Sequence, residues 1–480
     1  MRKAGILMPV ASLPSNYGIG DFGKTSYQFI DIISNANMKI WQLLPLNPLG
    51  YGNSPYQPYS SYAMDELYIG LDLLVEDKLL DYVPNYLSKS KTINYDKVRK
   101  FKRKYIEKAY NKFIINDDYN KFLEYEWVYD YAIFITLKKV NNLSIWSDWP
   151  KEHKEWIINK KFDVSIYQKQ INIELFIQYL LYKQWMQLKS YANSKGISMM
   201  GDIPIYVGID SLDVWMYQKG FLLNDKGEPT YIAGCPPDYF TEYGQRWGNP
   251  IYNWKQLEKD GFKFWLDRLS YSSKLFNTTR IDHFRAFDTY WKIPSSCETA
   301  VIGEWVEAPG YKLFDKLFET YPDIDIVVED LGDLRKEVLE LRDHYNLIGM
   351  RIVQHSFDPV NTMTQDRKHL LAYTGTHDNE SIRYWYSNIP ISYRKKMSIF
   401  FKKHNILNDN IVDNMIEYTL KTQANLVILS IVDILHKTDK YRINFPGTVG
   451  SPNWEMKLKD YNELKVNLIN IKKLIKESNR

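Results

Sequence analysis

Residues 278–284 read TTRIDHF, a short β-prone run that ends on the carboxylate of Asp282. Two further segments repeat the pattern: IVVEDLG at 326–332 stops on Glu329, and LAYTGTHDN at 371–379 leads to Asp378. Each run is short and rich in β-branched or apolar residues, which predicts a strand, and each ends in a group that is costly to leave in an apolar interior. Acidic residues at the carboxyl ends of different strands converge on one rim of a parallel α/β barrel, the rim where such folds place their chemistry.

Runs of the same kind recur at 5–9, 40–45, 197–204, 349–354 and 425–432. With 278–282, 325–329 and 371–376 they make eight. Near-continuous apolar runs separated by helix-length segments predict parallel strands covered on both faces, and eight of them predict a closed (β/α)8 TIM barrel, an α/β fold. The 480 residues exceed the ~250 of a bare barrel, so insertions are required. The expected layout is barrel over 1–77 and 196–480, a mainly helical insertion over 78–195, and a loop insertion over the rim at about 205–255.

Within the helical insertion, Val98, Phe101, Tyr105, Ala109 and Phe113 recur every three or four residues and share a helical face. A second helical run, about 173–192, ends near Gly196 and hands over to the third strand. The segment VRKFKRK at 98–104 reads as the solvated face opposite the apolar stripe rather than as a basic binding patch.

Composition narrows the partners. A net charge of +4 from 62 basic and 58 acidic residues gives no field for a nucleic acid. No apolar run approaches the ~18 residues that cross a membrane, and the first one, in MRKAGILMPVASLPS, stops at Pro9, too short for a signal core. Cys235 and Cys297 form no CxxC pattern, and a cytoplasmic location is expected. HExxH, dense Cys/His clusters and a nucleophile elbow are missing, so neither a metal nor a cofactor is expected.

One motif invites a different reading. GIGDFGKT at 18–25 satisfies both the Walker A and the GxGxxG expressions. A phosphate-binding loop leaves its strand directly, whereas residues 11–17, with Pro14, intervene here, and Asp21 would put a negative charge among the phosphates. The segment reads as a glycine-rich barrel loop that starts a helix.

The neighbours of the acidic residues sharpen the site. Arg280 lies two positions before Asp282, on the same strand face, where a guanidinium holds an aspartate ionised and oriented. His377 beside Asp378 adds a donor suited to hydroxyl groups. Several carboxylates converging on one rim suggest glycosyl transfer, and a composition of 15% aromatic residues is compatible with ring faces that pack on sugars.

The chain also resembles the amylomaltases, the 4-α-glucanotransferases related to plant disproportionating enzymes within the α-amylase superfamily. The likeness runs almost end to end, through SLPSNYGIGDFG, WQLLPLNPLGYGNSPYQ, GDIPIYV, AGCPPDYFTEYGQRWGNPIYNW, RIDHFRAF, VVEDLG, GTHDN and NFPGTVGSPNW. It implies transfer of α-1,4-glucan segments by a retaining mechanism, with maltooligosaccharides and other α-1,4-glucans as partners. Asp282 is implied as nucleophile, Glu329 as acid/base, and Asp378 with His377 as the grip on the transferred glucose. Arg280 and Asp202 are implied as supports of the nucleophile, and Tyr56 as a surface against the transferred sugar. Asp238, Gln245 and Trp247 fall in a loop over the cleft, and Tyr51 in a wall that receives glucan.

The chemistry matches the residues: retaining enzymes set two carboxyls ~5–5.5 Å apart, one ionised to attack and one protonated to release the leaving oxygen. The sequence departs from the α-amylases after Asp202, where Ile-Pro-Ile-Tyr-Val replaces an Asn-His pair, and no C-terminal β-sandwich is expected. His355 stands where the family pattern has phenylalanine, and Lys457 where it has arginine. A hydrolase of α-1,4-glucans and a non-catalytic glucan-binding protein are the competing readings.

Overall fold

The apolar runs become the staves of a barrel. The computed structural model describes residues 2–237, 241–359 and 367–480. Twelve strands occur among them: β1 (Lys3–Leu7), β2 (Ile40–Gln42), β3 (Ser198–Ile203), β4 (Tyr231–Cys235), β5 (Gln245–Pro250), β6 (Thr278–Ile281), β7 (Thr289–Pro294), β8 (Glu304–Glu307), β9 (Ile326–Val328), β10 (Gly349–Ile352), β11 (Leu370–Tyr373) and β12 (Leu426–Ser430). Eight of them form a parallel sheet in the order β10-β11-β12-β1-β2-β3-β6-β9. A single bridge between Val327 and Ile348, with the Val328 N–H donating to the Ile348 carbonyl at 2.9 Å, joins the two end strands. The sheet closes into the expected TIM barrel.

The core follows from the strand composition. Ile6, Trp41, Met199, Val327, Leu371 and Val427 are all fully buried, as strands covered on both faces require. Gly201 in the middle of β3 has a steric reason: a Cβ there would lie 2.2 Å from the Phe276 ring. The register sets the height of the rim. Asp202 pairs with Arg280 and Ile203 with Ile281, while Ile281 pairs in turn with Val328, so Asp282 and Glu329 leave adjacent strands at one level.

A second sheet was not legible in the sequence. β5, β4, β7 and β8 pair antiparallel in that order and include the segment that carries Gln245 and Trp247. Its outer strands are QRWGNP, polar and only partly buried, and EWVE, largely exposed, so they lack the apolar continuity by which buried strands are recognised.

Between β2 and β3 the chain is mainly helical, with Tyr95–Tyr110, Asp117–Phe122, Glu126–Val140 and Gln168–Ser194 as its main helices. Asn94 caps the first of these by accepting from the Lys97 N–H. Val98 and Ala109 are buried on its inner face, and Phe101 and Tyr105 pack beside them. The basic segment on that helix departs from its expected reading as a solvated face. Lys102 is 0% exposed and bonds Asp21 at 2.6 Å and the carbonyls of Leu67 and Ile69. Arg99 holds Asp65, and Arg103 holds Glu66 and Glu174. Acidic partners distant in sequence draw these cations inward, because a buried charge requires a partner.

The same contacts account for GIGDFGKT. Asp21 accepts from the Gly23 N–H and from Lys102, the Lys24 N–H is taken by Asp72, and the Lys24 ammonium pairs with Glu76 on the surface. The loop fastens the barrel to the helical layer. Among the described residues, no helix is long and apolar enough to cross a membrane.

Candidate active site

The carboxyl ends of β3, β6, β9 and β11 bring Asp202, Asp282, Glu329 and Asp378 to the same rim. Arg280 is its organising cation. Its Nη1 lies 2.7 and 2.8 Å from the two oxygens of Asp202, and its Nη2 is 2.7 Å from Asp282 Oδ1. With 4% of its surface exposed, Arg280 is penalised by burial, yet the charges of Asp202 and Asp282 outweigh that penalty and raise its pKa well above the usual value. The guanidinium therefore stays charged and fixes one oxygen of Asp282, whose side chain remains 30% exposed.

Glu329 has a different environment. Its Oε2 accepts from the His283 N–H at 2.7 Å and its Oε1 from the Leu331 N–H at 3.0 Å. Burial and then the charge of Asp282 push its pKa up to about 7, against the opposing pull of Arg280 and those two N–H groups. One carboxyl of the pair is thus suited to hold a proton near neutrality while the other is pinned to a guanidinium.

Asp378 lies in the turn after β11. Asn444 donates to its Oδ1 at 2.6 Å, Arg442 donates to its backbone carbonyl, and the His377 Nε2 is 3.3 Å from Oδ2. The ring of His377 stacks on Tyr56 with centroids 5.0 Å apart and a 14° interplanar angle. The Tyr56 hydroxyl donates to Asp202 at 2.6 Å, which links this side of the cleft to Arg280. Trp454 closes the aromatic group, 5.8 Å from both rings.

The second sheet reaches the same place. The Trp247 indole meets the His283 ring edge to face, 4.8 Å between centroids, and donates to Gln245 Oε1 at 3.0 Å. Gln57 donates to the Trp247 carbonyl and to Asn249, tying this segment to the turn that holds Tyr56. Burial lowers the His283 pKa to about 4, so its ring is neutral near pH 7.

The chain has known counterparts. A family profile described as 4-alpha-glucanotransferase matches residues 8–463. The chain belongs to the 4-α-glucanotransferase family. It is 40% identical over 472 residues to the 4-alpha-glucanotransferase of Clostridium butyricum, covering 94% of this chain and 96% of that one. It is 37% identical over 476 residues to that of Streptococcus pneumoniae, covering 95% and 93%. Among solved structures, the amylomaltase from Streptococcus agalactiae in complex with acarbose superposes with a TM-score of 0.93 at 31% identity, covering all of both chains.

Within this 4-α-glucanotransferase fold, Asp202, Arg280, Asp282, Glu329, His377, Asp378 and Tyr56 come together, and Gln245 and Trp247 border them. Tyr51 stands apart, 80% exposed on the turn Tyr51–Asn53. Asp238 lies outside the described residues. His355 is 2.9 Å from the Asn379 side chain, and Lys457 is buried and donates to the Ser88 carbonyl. Reading the sequence missed Gln57, His283 and Asn444. His283 adopts a left-handed backbone (φ 50°) that turns its N–H toward Glu329, a conformation no residue pattern announces.

Proposed function

We propose that this chain is a 4-α-glucanotransferase that moves α-1,4-glucan segments between maltooligosaccharides by double displacement through Asp282 and Glu329. The observation that carries the reading is the asymmetry of the pair: Arg280 grips Asp282 at 2.7 Å, whereas burial and the Asp282 charge push Glu329 up to about 7.

In the first step an oxygen of the Asp282 carboxylate attacks C1 of the donor glucose. The C1–O4 bond breaks, and the Glu329 proton passes to the departing O4, which leaves as a hydroxyl. In the second step the Glu329 carboxylate takes the proton of an acceptor 4-hydroxyl, whose oxygen attacks C1. The ester bond breaks and Asp282 leaves as a carboxylate, so the proton inventory closes and two inversions retain the α configuration.

Asp378 and His377 are suited to grip hydroxyls of the transferred glucose, and Arg280 and Asp202 to hold the nucleophile. Tyr56 offers a ring face to that sugar. Trp247 and Gln245 border the acceptor side, and Tyr51 offers an exposed ring to longer glucan. Incubation with maltotriose alone tests the reading. Glucose together with a ladder of longer maltooligosaccharides is expected, with little net gain in reducing ends; shortened products with steadily rising reducing ends would assign a hydrolase instead.

A further inference from the structure

A second aromatic surface lies outside the cleft. Between the helices Asp117–Phe122 and Gln168–Ser194 the structure leaves an open groove of about 630 Å³, within the range of small-molecule sites and sharing no lining residue with the candidate active site. Its floor is built from rings. Phe122 and Tyr182 lie 5.2 Å apart and Tyr125 and Tyr182 5.7 Å apart, tilted rather than stacked flat, and the two tyrosine hydroxyls are 3.1 Å from each other. Tyr125 and Tyr182 are only partly buried.

The rim is polar and balanced. Asp118 and Glu124 contribute two carboxylates, and Lys121 and Lys183 two ammonium groups. Lys183 is tied to Asp77 at 2.7 Å. Equal numbers of both signs disfavour an anion or a polycation, while aromatic rings below a ring of donors and acceptors suit a neutral ligand with apolar faces and polar edges. A pyranose is such a ligand: its C–H face lies on an aromatic ring, and its hydroxyls reach charged side chains. One shared hydrogen bond between Tyr125 and Tyr182 leaves a further donor and further lone pairs on these oxygens for the ligand.

We propose that this groove is a second, non-catalytic binding site for α-1,4-glucan chains, which holds a long substrate on the protein while its ends turn over elsewhere. The inference rests on the reading of the chain as a glucan-acting enzyme. Holding the chain at two places raises the effective concentration of its other ends at the cleft, an advantage for long glucans and none for short ones.

Migration through amylose-containing gels tests it, with Asp282→Asn as the parent so that the polysaccharide stays intact. Adding Tyr182→Ala, which removes a platform ring, or Met186→Trp, which fills the groove, is expected to weaken amylose retardation about three- to tenfold. Transfer from maltotriose by Tyr182→Ala and Met186→Trp in the chain with Asp282 intact should stay at the level of the unsubstituted protein, which also shows that they fold. Retardation of the parent that neither substitution changes would overturn the groove and leave the active-site reading standing. A parallel loss of maltotriose transfer in both variants would mark these residues as structural and equally overturn it. A parent that amylose does not retard would instead count against glucan binding as a whole.

Discussion

The side-chain amide of Gln57 donates to the backbone carbonyl of Trp247 at 3.1 Å, across 190 positions of sequence. This bond fastens the small antiparallel sheet to the turn that carries Tyr56, and the Trp247 indole meets the ring of His283, the residue whose backbone N–H donates to Glu329.

That position makes Trp247 the candidate for favouring a sugar over water at the covalent intermediate. Water is far more concentrated, so an oriented acceptor and a shielded ester must compensate. Trp247→Ala is expected to raise the ratio of hydrolysis to transfer while the first glycosylation step is less affected, and Gln57→Ala to shift it in the same direction by less. Partition ratios measured over a range of acceptor concentrations check this; an unchanged ratio in Trp247→Ala removes the indole from the mechanism.

The two carboxyls separate with an activated donor. Asp282→Asn should abolish transfer, because an amide does not form the ester, and Glu329→Gln should stall donors whose leaving group needs a proton. An α-glucosyl fluoride, whose fluoride departs with little acid help, is expected to rescue the first step in Glu329→Gln and not in Asp282→Asn. The reverse pattern would exchange the two roles.

The raised Glu329 pKa has a kinetic and a thermodynamic sign. Because the first step needs the protonated acid, kcat/KM for maltotriose should fall as pH rises above about 7, and that limb should vanish with the fluoride donor. The folded chain binds a proton on Glu329 that the unfolded chain, at 4.5, has already released, so its contribution is present below 4.5 and is lost as pH rises toward 7. Glu329→Gln should therefore be more stable than the parent by about 3 kcal/mol at pH 8 and equal to it near pH 4. Denaturant midpoints at the two pH values measure the difference, and equal midpoints at pH 8 would refute it.

Lys102 and Asp21 offer a test away from the cleft. Removing one partner strands a buried charge, so Lys102→Met should cost about 3–5 kcal/mol. Burial already raises Asp21 to about 6 despite Lys102, and with the ammonium gone it should rise further. Adding Asp21→Asn to Lys102→Met should recover part of the loss in a urea titration. Additive effects of the two substitutions would deny the coupling.

These elements also show what a linear reading can reach. The barrel strands were legible because burial on both faces demands unbroken apolar runs such as Ile326–Val328, and Asp282, Glu329 and Asp378 stand out at their ends. β5 and β8 were not, since half-exposed edge strands tolerate Gln, Arg and Glu. Arg99, Lys102 and Arg103 looked solvated because the acids that draw them inward, such as Asp21 at 81 positions from Lys102, are neighbours only after folding. Asn444 escaped for the same reason: its bond to Asp378 spans 66 positions.

The joint between β9 and β10 is thinner than any other around the ring, a single bridge where the remaining pairs form ladders. Val328, whose N–H makes that joint, directly precedes Glu329. The barrel thus carries its proposed acid/base beside its own seam, and breathing along that line would admit solvent to the Glu329 carboxyl. Amide exchange at Val328 should run ahead of that at Ile281 across the neighbouring ladder, and every glucan that tightens the cleft should slow it, so that substrate itself becomes the clasp of the barrel.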